Sequence, residues 1–354
     1  MRTAIAFLQV GPDGLACAAS PLRQVRAPGP GRPAFFAPPF SLAPGLPAWF
    51  EAEAGSLDVL SREAWRERFR SPSSRPAAPA WGAPDERRFA AGFRSLVARL
   101  EDGTLRKGVP ATRIRAEVEP GAAEALFDRL LARVPDLPAS VLAYGFYRPA
   151  SDAGDGAPEF LVGATPEVLF EIDGAGRLST MAVAGTRRIG AAWADLAASP
   201  KDRDEHQRVV DDLVEQLGAW GTPVASATTV RRFGGLEHLV ADIRVEAGRA
   251  VDFEDAARRL HPTPALGVYP RGAVGSAWLS AIDPNGDRGR FGAPFGLRWP
   301  SGAGRAVVAI RGLQYRAGRL EIWAGCGVVP QSRYGEEWQE VLDKIQAVRA
   351  TWDV

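Results

Sequence analysis

Two pairs of carboxylates, a few lysines and one arginine in an apolar run are the residues of this chain best placed to do chemistry. Glu337 and Glu340 stand three residues apart at the start of a helical stretch, and Lys344 follows one turn on, so all three project from one face. Asp202 and Glu205 repeat that spacing in SPKDRDEH at 199–206. Carboxylates near a helix start can hold a divalent cation. Magnesium needs only a few of them, because water and substrate oxygens complete its shell. The helix dipole favours acids at the same positions, and Glu340–Lys344 is also an ordinary i, i+4 pair, so a solvated helix face is the competing reading. Lysine and arginine together number 43, and only Lys107, Lys201 and Lys344 are lysine. The Ala, Gly and Pro abundance suggests a coding bias that favours arginine. A lysine retained against it is a candidate for work arginine cannot do, such as giving up a proton when desolvated. Arg311, inside AVVAIRGL at 306–313, calls for an anionic partner, either a structural carboxylate or a carboxylate ligand.

The elements that must position these residues are legible in part. Apolar spacing predicts helices over 85–100, 122–133, 253–260 and 273–282, and a further helix after Gly335. Ser199 and Pro200 suit the cap and first turn of a helix running to Leu217. Strands are expected at 3–10, 111–117 (with Lys107 at its mouth), 168–172, 306–313 and 320–323. A hairpin joins 140–147 to 159–162 around a polar loop at 149–157. Within 228–245, GLEHLVADIRVE reads as a strand that carries His238. Glu167 follows Pro166 and leads the strand at 168–172. Ala184-Gly185-Thr186 reads as a small turn ending the preceding strand, with free backbone N–H groups. The Pro/Gly-rich stretch at 27–47 excludes a long helix or central strand, and 71–84 reads as a connector.

Composition narrows the classes. At 354 residues the chain suffices for one large core or two ordinary domains, and 46% hydrophobic with 24% charged residues is a globular composition. A net charge of +1 argues against nucleic-acid or membrane-surface binding driven by bulk charge. Cys17 and Cys326 offer no zinc spacing and no disulfide framework, which suits a reducing cytoplasm. The first residues have a faint leader-like look, but Gly11-Pro12-Asp13 breaks the apolar run, so a first strand and turn are expected instead.

Taken together, the motifs resemble the chorismate-utilising enzymes: isochorismate synthase, salicylate synthase, anthranilate synthase component I and aminodeoxychorismate synthase. The resemblance runs from about residue 86 to 352. It is carried by KGVPATR at 107–113, GATPEVL at 163–169, AGTRRIG at 184–190, SPKDRDEH at 199–206, LEHLVADI at 236–243, LHPTPALGVYPR at 260–271, DRGRFGAPFG at 287–296, AIRG at 309–312, and AGCGVVPQS with EEWQEVLDK up to 344. LHPTPAL is most similar to isochorismate synthases. Lys107 falls where water-adding members carry lysine, and Ala184 where aminodeoxychorismate synthases carry a nucleophilic lysine.

The resemblance implies an α/β (α+β) fold with large antiparallel sheets inside and helices outside. Residues 1–85 would form an N-terminal strand and loop portion of it, and 86–354 the catalytic region. It further implies conversion of chorismate to isochorismate with Mg²⁺ as cofactor. Lys107 would be the general base, which needs a largely dry site, and Glu167 the general acid. Glu205 and Glu340 would hold the metal, with Asp202 and Glu337 helping directly or through water. Arg311 and Lys344 would take the substrate carboxylates, with Thr186, Gly327 and His238 as further substrate contacts. A monomer or weak homo-oligomer without an obligatory glutaminase subunit is expected. Salicylate synthase uses the same lysine and stays open as an alternative, as does a chorismate-binding protein without catalysis. Departures from the family pattern are Val268, which could narrow the pocket, Cys326 between two glycines, and Phe291 where several branches carry tyrosine.

Overall fold

The first strand shows how the interior is divided. In Ile5–Gln9, the side chains of Ile5 and Phe7 pack with helices, whereas Ala6 and Leu8 pack with a second sheet. This period-two alternation is what a strand buried on both faces requires. The computed structural model describes all residues except 1, 2, 20, 44, 46, 71–77, 153–156, 190–195 and 247. The connector expected at 71–84 and the polar loop at 149–157 lie partly outside the described residues.

Two antiparallel sheets form the centre. The eight-stranded sheet runs in the order Leu57–Leu60, Leu15–Ala18, Ile5–Gln9, Leu142–Arg148, Glu159–Thr165, Gly312–Arg316, Arg319–Gly325, Ala111–Glu117. The ten-stranded sheet runs from Thr222–Ala225 through Leu236–Glu246, Leu178–Arg188, Val168–Ile172, Gly304–Val308, Pro294–Arg298, Ala34–Phe36 and Trp49–Glu51 to Arg23–Val25, with Thr229–Phe233 also paired to Leu236–Glu246. Strands from the first 60 residues thus enter both sheets, and Ala34–Phe36, within the stretch at 27–47 expected to hold no central strand, is paired on both sides; it is three residues long and free of proline. Phe35, Phe50, Tyr144, Phe146, Phe295 and Val307 fill the space between the sheets. Helices Glu86–Glu101, Pro120–Arg133 and Tyr334–Trp352 cover the outer face of the first sheet, and Pro200–Leu217 and Phe253–Leu260 that of the second.

The chain passes between the sheets at two places that matter for the site. Glu159–Thr165 belongs to the first sheet and Val168–Ile172 to the second, with Pro166 and Glu167 at the crossing. Gly304–Val308 and Gly312–Arg316 make the reverse crossing, with Arg311 in it at φ 57°. The crossings are tied together: Val308 N donates to Glu167 O (3.0 Å) and Ala164 N to Arg311 O (3.2 Å). The continuous strand expected at 306–313 is therefore two strands, and Arg311 sits in the break.

A second expectation changes as well. Residues 184–186 do not end a strand. Leu178–Arg188 continues through them with a bulge between Ala184 and Thr186, where Gly185 takes φ 65°. A left-handed residue that absorbs a bulge favours glycine, and the bulge re-aims the flanking side chains.

Candidate active site

Four segments converge around Lys107. The two-residue strand Lys107–Gly108 pairs with Val268–Tyr269, and Gly108 and Val328 exchange backbone hydrogen bonds (3.2 and 2.9 Å). This holds Lys107 between the proline-punctuated loop at 260–271 and the glycine turn at 325–329. Its Nζ donates to Pro264 O at 2.7 Å and lies 3.3 Å from Oε1 of Glu205, on helix Pro200–Leu217. The Lys107 side chain has no solvent exposure. Gly327 makes that packing possible, because a Cβ there would overlap Glu205 and stand 2.7 Å from Lys107 Cε.

The helices that supply the acids form for local reasons. Ser199 caps Pro200–Leu217 by accepting from Asp202 N at 3.3 Å. The buried face of this helix is polar in its first half (Asp202, Glu205, His206) and apolar in its second (Val209, Val210, Leu213, Leu217) apart from Asp212, which is paired with Arg271. Helix Tyr334–Trp352 has no side-chain cap and buries Glu337 above Val341, Ile345, Val348 and Trp352.

Each glutamate of the cluster is matched to one of the chain's three lysines. Glu205 pairs with Lys107, Lys344 Nζ lies 2.6 Å from Oε1 of Glu340, and the Lys201 ammonium sits against Glu337. Burial, and then the charge of Glu340, holds Glu337 up at about 7. Burial also raises Glu205, and Glu340 adds to the rise against the pull of Lys107. The Glu337 carboxylate is buried, with Oε1 against the Lys201 ammonium. Such a cluster of oxygen donors suits a hard cation. Among the described residues no three His, Cys, Asp or Glu side chains form a ready-made metal shell. A cation here would therefore take few protein ligands and complete its shell from other oxygens.

Asp202 stands apart from this cluster. Its carboxylate accepts from Arg187 Nη2 at 2.7 Å, beside the Gly185 bulge. The four acids expected to share one ion are thus three glutamates in one another's field plus an aspartate engaged in a separate ion pair.

A cavity that is partly open to solvent lies next to the cluster. Glu167, Thr186, Glu205, His238, Arg311, Gly327 and Lys344 all line it, and Ala265, Leu266, Phe291, Ile310 and Trp323 contribute apolar surface. Burial pushes the Glu167 carboxyl up to about 7, against the opposing fields of Lys107, Lys344 and Arg311. Burial likewise brings Arg311 down to about 10, against the favourable charges of Glu340 and Glu167. Lys344 Nζ donates to Gly325 O at 2.8 Å, which ties the helix to the strand end.

His238 is held well below its ordinary value by burial and then by Arg311 and Lys344, so the ring is neutral. Its Nδ1 lies 3.1 Å from Gly185 O and 3.2 Å from Thr186 Oγ1. A carbonyl only accepts, which assigns the proton to Nδ1. Nε2 is then a bare acceptor, buried and without a protein partner.

The outcome for the expected site residues is uneven. Seven of them line the cavity. Lys107, Glu337 and Glu340 lie behind that lining, linked to it through Glu205 and Lys344. Val268 does not narrow the cavity: it is buried against Gly275, where the missing side chain leaves it room. Cys326 is buried and also off the lining, and Phe291 is on it, stacked on Trp323 with centroids 6.0 Å apart. Sequence reasoning missed the apolar wall, the Pro264 carbonyl and the partner of Lys201. Only Lys201 left a signal, as the third retained lysine.

Comparison with known proteins supplies the context. The family described as chorismate binding enzyme matches residues 51–350, beginning well ahead of the first motif read from the sequence. The chain is 37% identical over 199 residues to the salicylate biosynthesis isochorismate synthase of Pseudomonas aeruginosa, covering 53% of this chain and 41% of that protein. It is 32% identical over 232 residues to isochorismate synthase EntC of Escherichia coli, covering 63% and 56%. The chain thus spans about half the length of these relatives. The solved structure of MenF, the menaquinone-specific isochorismate synthase of Escherichia coli, has the same fold, with a TM-score of 0.74 at 18% identity over 99% of this chain and 89% of that one. Among the described residues no helix is long and apolar enough to cross a membrane.

Proposed function

The chain belongs to the chorismate-binding enzymes, and from that premise we propose that it is an isochorismate synthase, adding water at C2 of chorismate with loss of the C4 hydroxyl. The observation that carries this reading is one cavity lined by a carboxyl held near 7 and two cations, with a buried lysine behind its wall at Glu205. Chorismate is a diacid, and Arg311 and Lys344 offer charge-assisted hydrogen bonds to its carboxylates. Lys107 takes a proton from the attacking water. Glu167 is present in quantity as the neutral acid near pH 7 and donates to the departing C4 oxygen. The neutral His238 lines the cavity and keeps an acceptor nitrogen without a protein partner, which suits a substrate hydroxyl. The apolar wall from Leu266 to Trp323 keeps water away from the ring.

Glu205, Glu340 and Glu337 would hold Mg²⁺. When bound, the ion would draw charge toward a substrate carboxylate and so ease departure of the C4 oxygen. The oxygen-only donor set of three neighbouring buried or half-buried carboxylates supports that assignment. No glutaminase subunit is required, because water and not ammonia is the nucleophile.

The deciding experiment is incubation of the protein with chorismate and MgCl₂, with products separated and identified by NMR. Isochorismate alone is expected. Salicylate with pyruvate would make the chain a salicylate synthase, and unchanged chorismate would leave a binding protein. In the Lys107→Ala protein, water addition should cease while chorismate still binds; retained turnover would remove Lys107 from its role.

A further inference from the structure

Two of the three lysines in the acid cluster have work under the proposed function, and both are tethered. Lys107 donates to Pro264 O and Lys344 to Gly325 O. Lys201 has no such backbone tether among the described residues. It does not line the cavity, its ammonium sits against Glu337, and its side chain is 20% exposed where Glu337 is 1% exposed. A carboxylate sealed from water without a counter-charge is strongly unfavourable, and Lys201 supplies the charge that makes Glu337 tolerable in the fold.

The balance of charge sets up a competition. With all three glutamates ionised, their charges and those of the three lysines cancel when no divalent cation is present. A dication entering the cluster adds two positive charges where the lysines already satisfy the acids, so one lysine has to yield. Lys201 is the one free to do so. It lacks a tether, it lies at the solvent margin, and a flexible four-carbon stem lets its ammonium reach water while the stem stays packed.

We infer that Lys201 is the resident counter-cation of the acid cluster: it occupies Glu337 while the divalent cation is absent and competes with that cation for it. The inference rests on the proposed metal site. It names a residue that sets how tightly the ion is held and takes no part in the chemistry.

The test is the dependence of Tm on MgCl₂ concentration, without substrate, for the wild type, Lys201→Met and Lys201→Arg. Lys201→Gln is read alongside, so that the comparison does not hang on one neutral variant. Without metal, the neutral variants should melt lower than the wild type. Their stabilisation by magnesium should set in at a concentration at least about tenfold lower, because one positive charge has left the cluster. Lys201→Arg keeps the charge and should follow the wild type. Equal or weaker response to magnesium in the neutral variants would overturn the inference alone, and would make Lys201 a support that positions Glu337. A Tm indifferent to magnesium in every protein would overturn both the inference and the metal site beneath it.

Discussion

Helices Pro200–Leu217 and Tyr334–Trp352 each carry two acids three residues apart, and the fold uses the two pairs differently. On the first helix, Asp202 is turned to Arg187 at the strand bulge and only Glu205 reaches the cluster around Lys107. On the second, Glu337 and Glu340 both join that cluster, each against its own lysine. Spacing determines which side chains share a helical face, but what that face meets depends on neighbours distant in sequence. The bulge at Gly185 brings Asp202 against the strand, whereas the glycine turn at 325–327 leaves Glu205 room to face Lys107.

The two uses predict very different losses. Replacing Glu205 by Gln removes the partner of Lys107 and a cation ligand at once, and several kcal/mol of charge stabilisation corresponds to about 10³-fold or more in kcat. Glu340→Gln should approach it, with loss of the magnesium response. An unaffected magnesium dependence in either variant would break the comparison. Glu167 acts from the other side of the site, and Glu167→Gln should cost about 10²-fold or more in kcat with chorismate binding kept.

The wild-type pH profile sharpens this point. Glu167 must be protonated to act, and its pKa lies at about 7, so it should set an alkaline limb along which the rate falls about tenfold per unit above pH 7. The same shift bears on folding. The folded chain binds this proton more tightly than the unfolded one, so the contribution to stability is complete below the ordinary value of 4.5 and is lost as the pH climbs through about 7. A flat rate from pH 6 to 9 would remove Glu167 as the acid.

Gly327→Ala tests the space in which Glu205 and Lys107 meet. The added methyl would overlap the Glu205 carboxylate and press on Lys107 Cε, so one of them must shift. A displacement on the order of 1 Å in a catalytic group costs about 10²-fold. The expected signature is a lower kcat with Tm little changed. Wild-type kcat would mean that the contact is slack.

Much of this architecture could be read in the chain beforehand, and the parts that could not share a cause. Helix Glu86–Glu101 follows from Phe89, Phe93 and Leu96 at helical spacing, and Pro200–Leu217 from Ser199 and Pro200 at its start. The alternate use of Asp202 and Glu337 was illegible because each is the first acid of an i, i+3 pair in the first turn of a helix. The run at 306–313 is uniformly apolar around Arg311, so nothing in it marks the point where the chain leaves one sheet for the other. Glu167 and Arg311 both lie at such crossings. Motif resemblance located them, whereas periodicity took the second for the interior of a strand. The apolar wall was equally hidden: Phe291 and Trp323 have the composition of core residues, and only the cavity distinguishes them from their buried neighbours.

The smallest expected effect is the one that separates the two acid pairs most cleanly. Asp202→Asn keeps the size of the side chain and removes the charge opposite Arg187. Arg187 is partly exposed and can turn to water, so the loss is that of a charged hydrogen bond at the edge of the fold, about 1–3 kcal/mol of stability at most. The Ser199 cap on the Asp202 backbone N–H is untouched by the change. Tm should therefore fall by a few degrees at most, since about 1 kcal/mol shifts a chain of this size by roughly 1–2 °C. Turnover should stay within about threefold of the wild type, since Asp202 neither lines the cavity nor pairs with a lysine of the cluster. The magnesium concentration for half-maximal rate should not move. A strong shift in that concentration with Tm preserved would place Asp202 back among the cation's ligands and make the two helices equivalent after all.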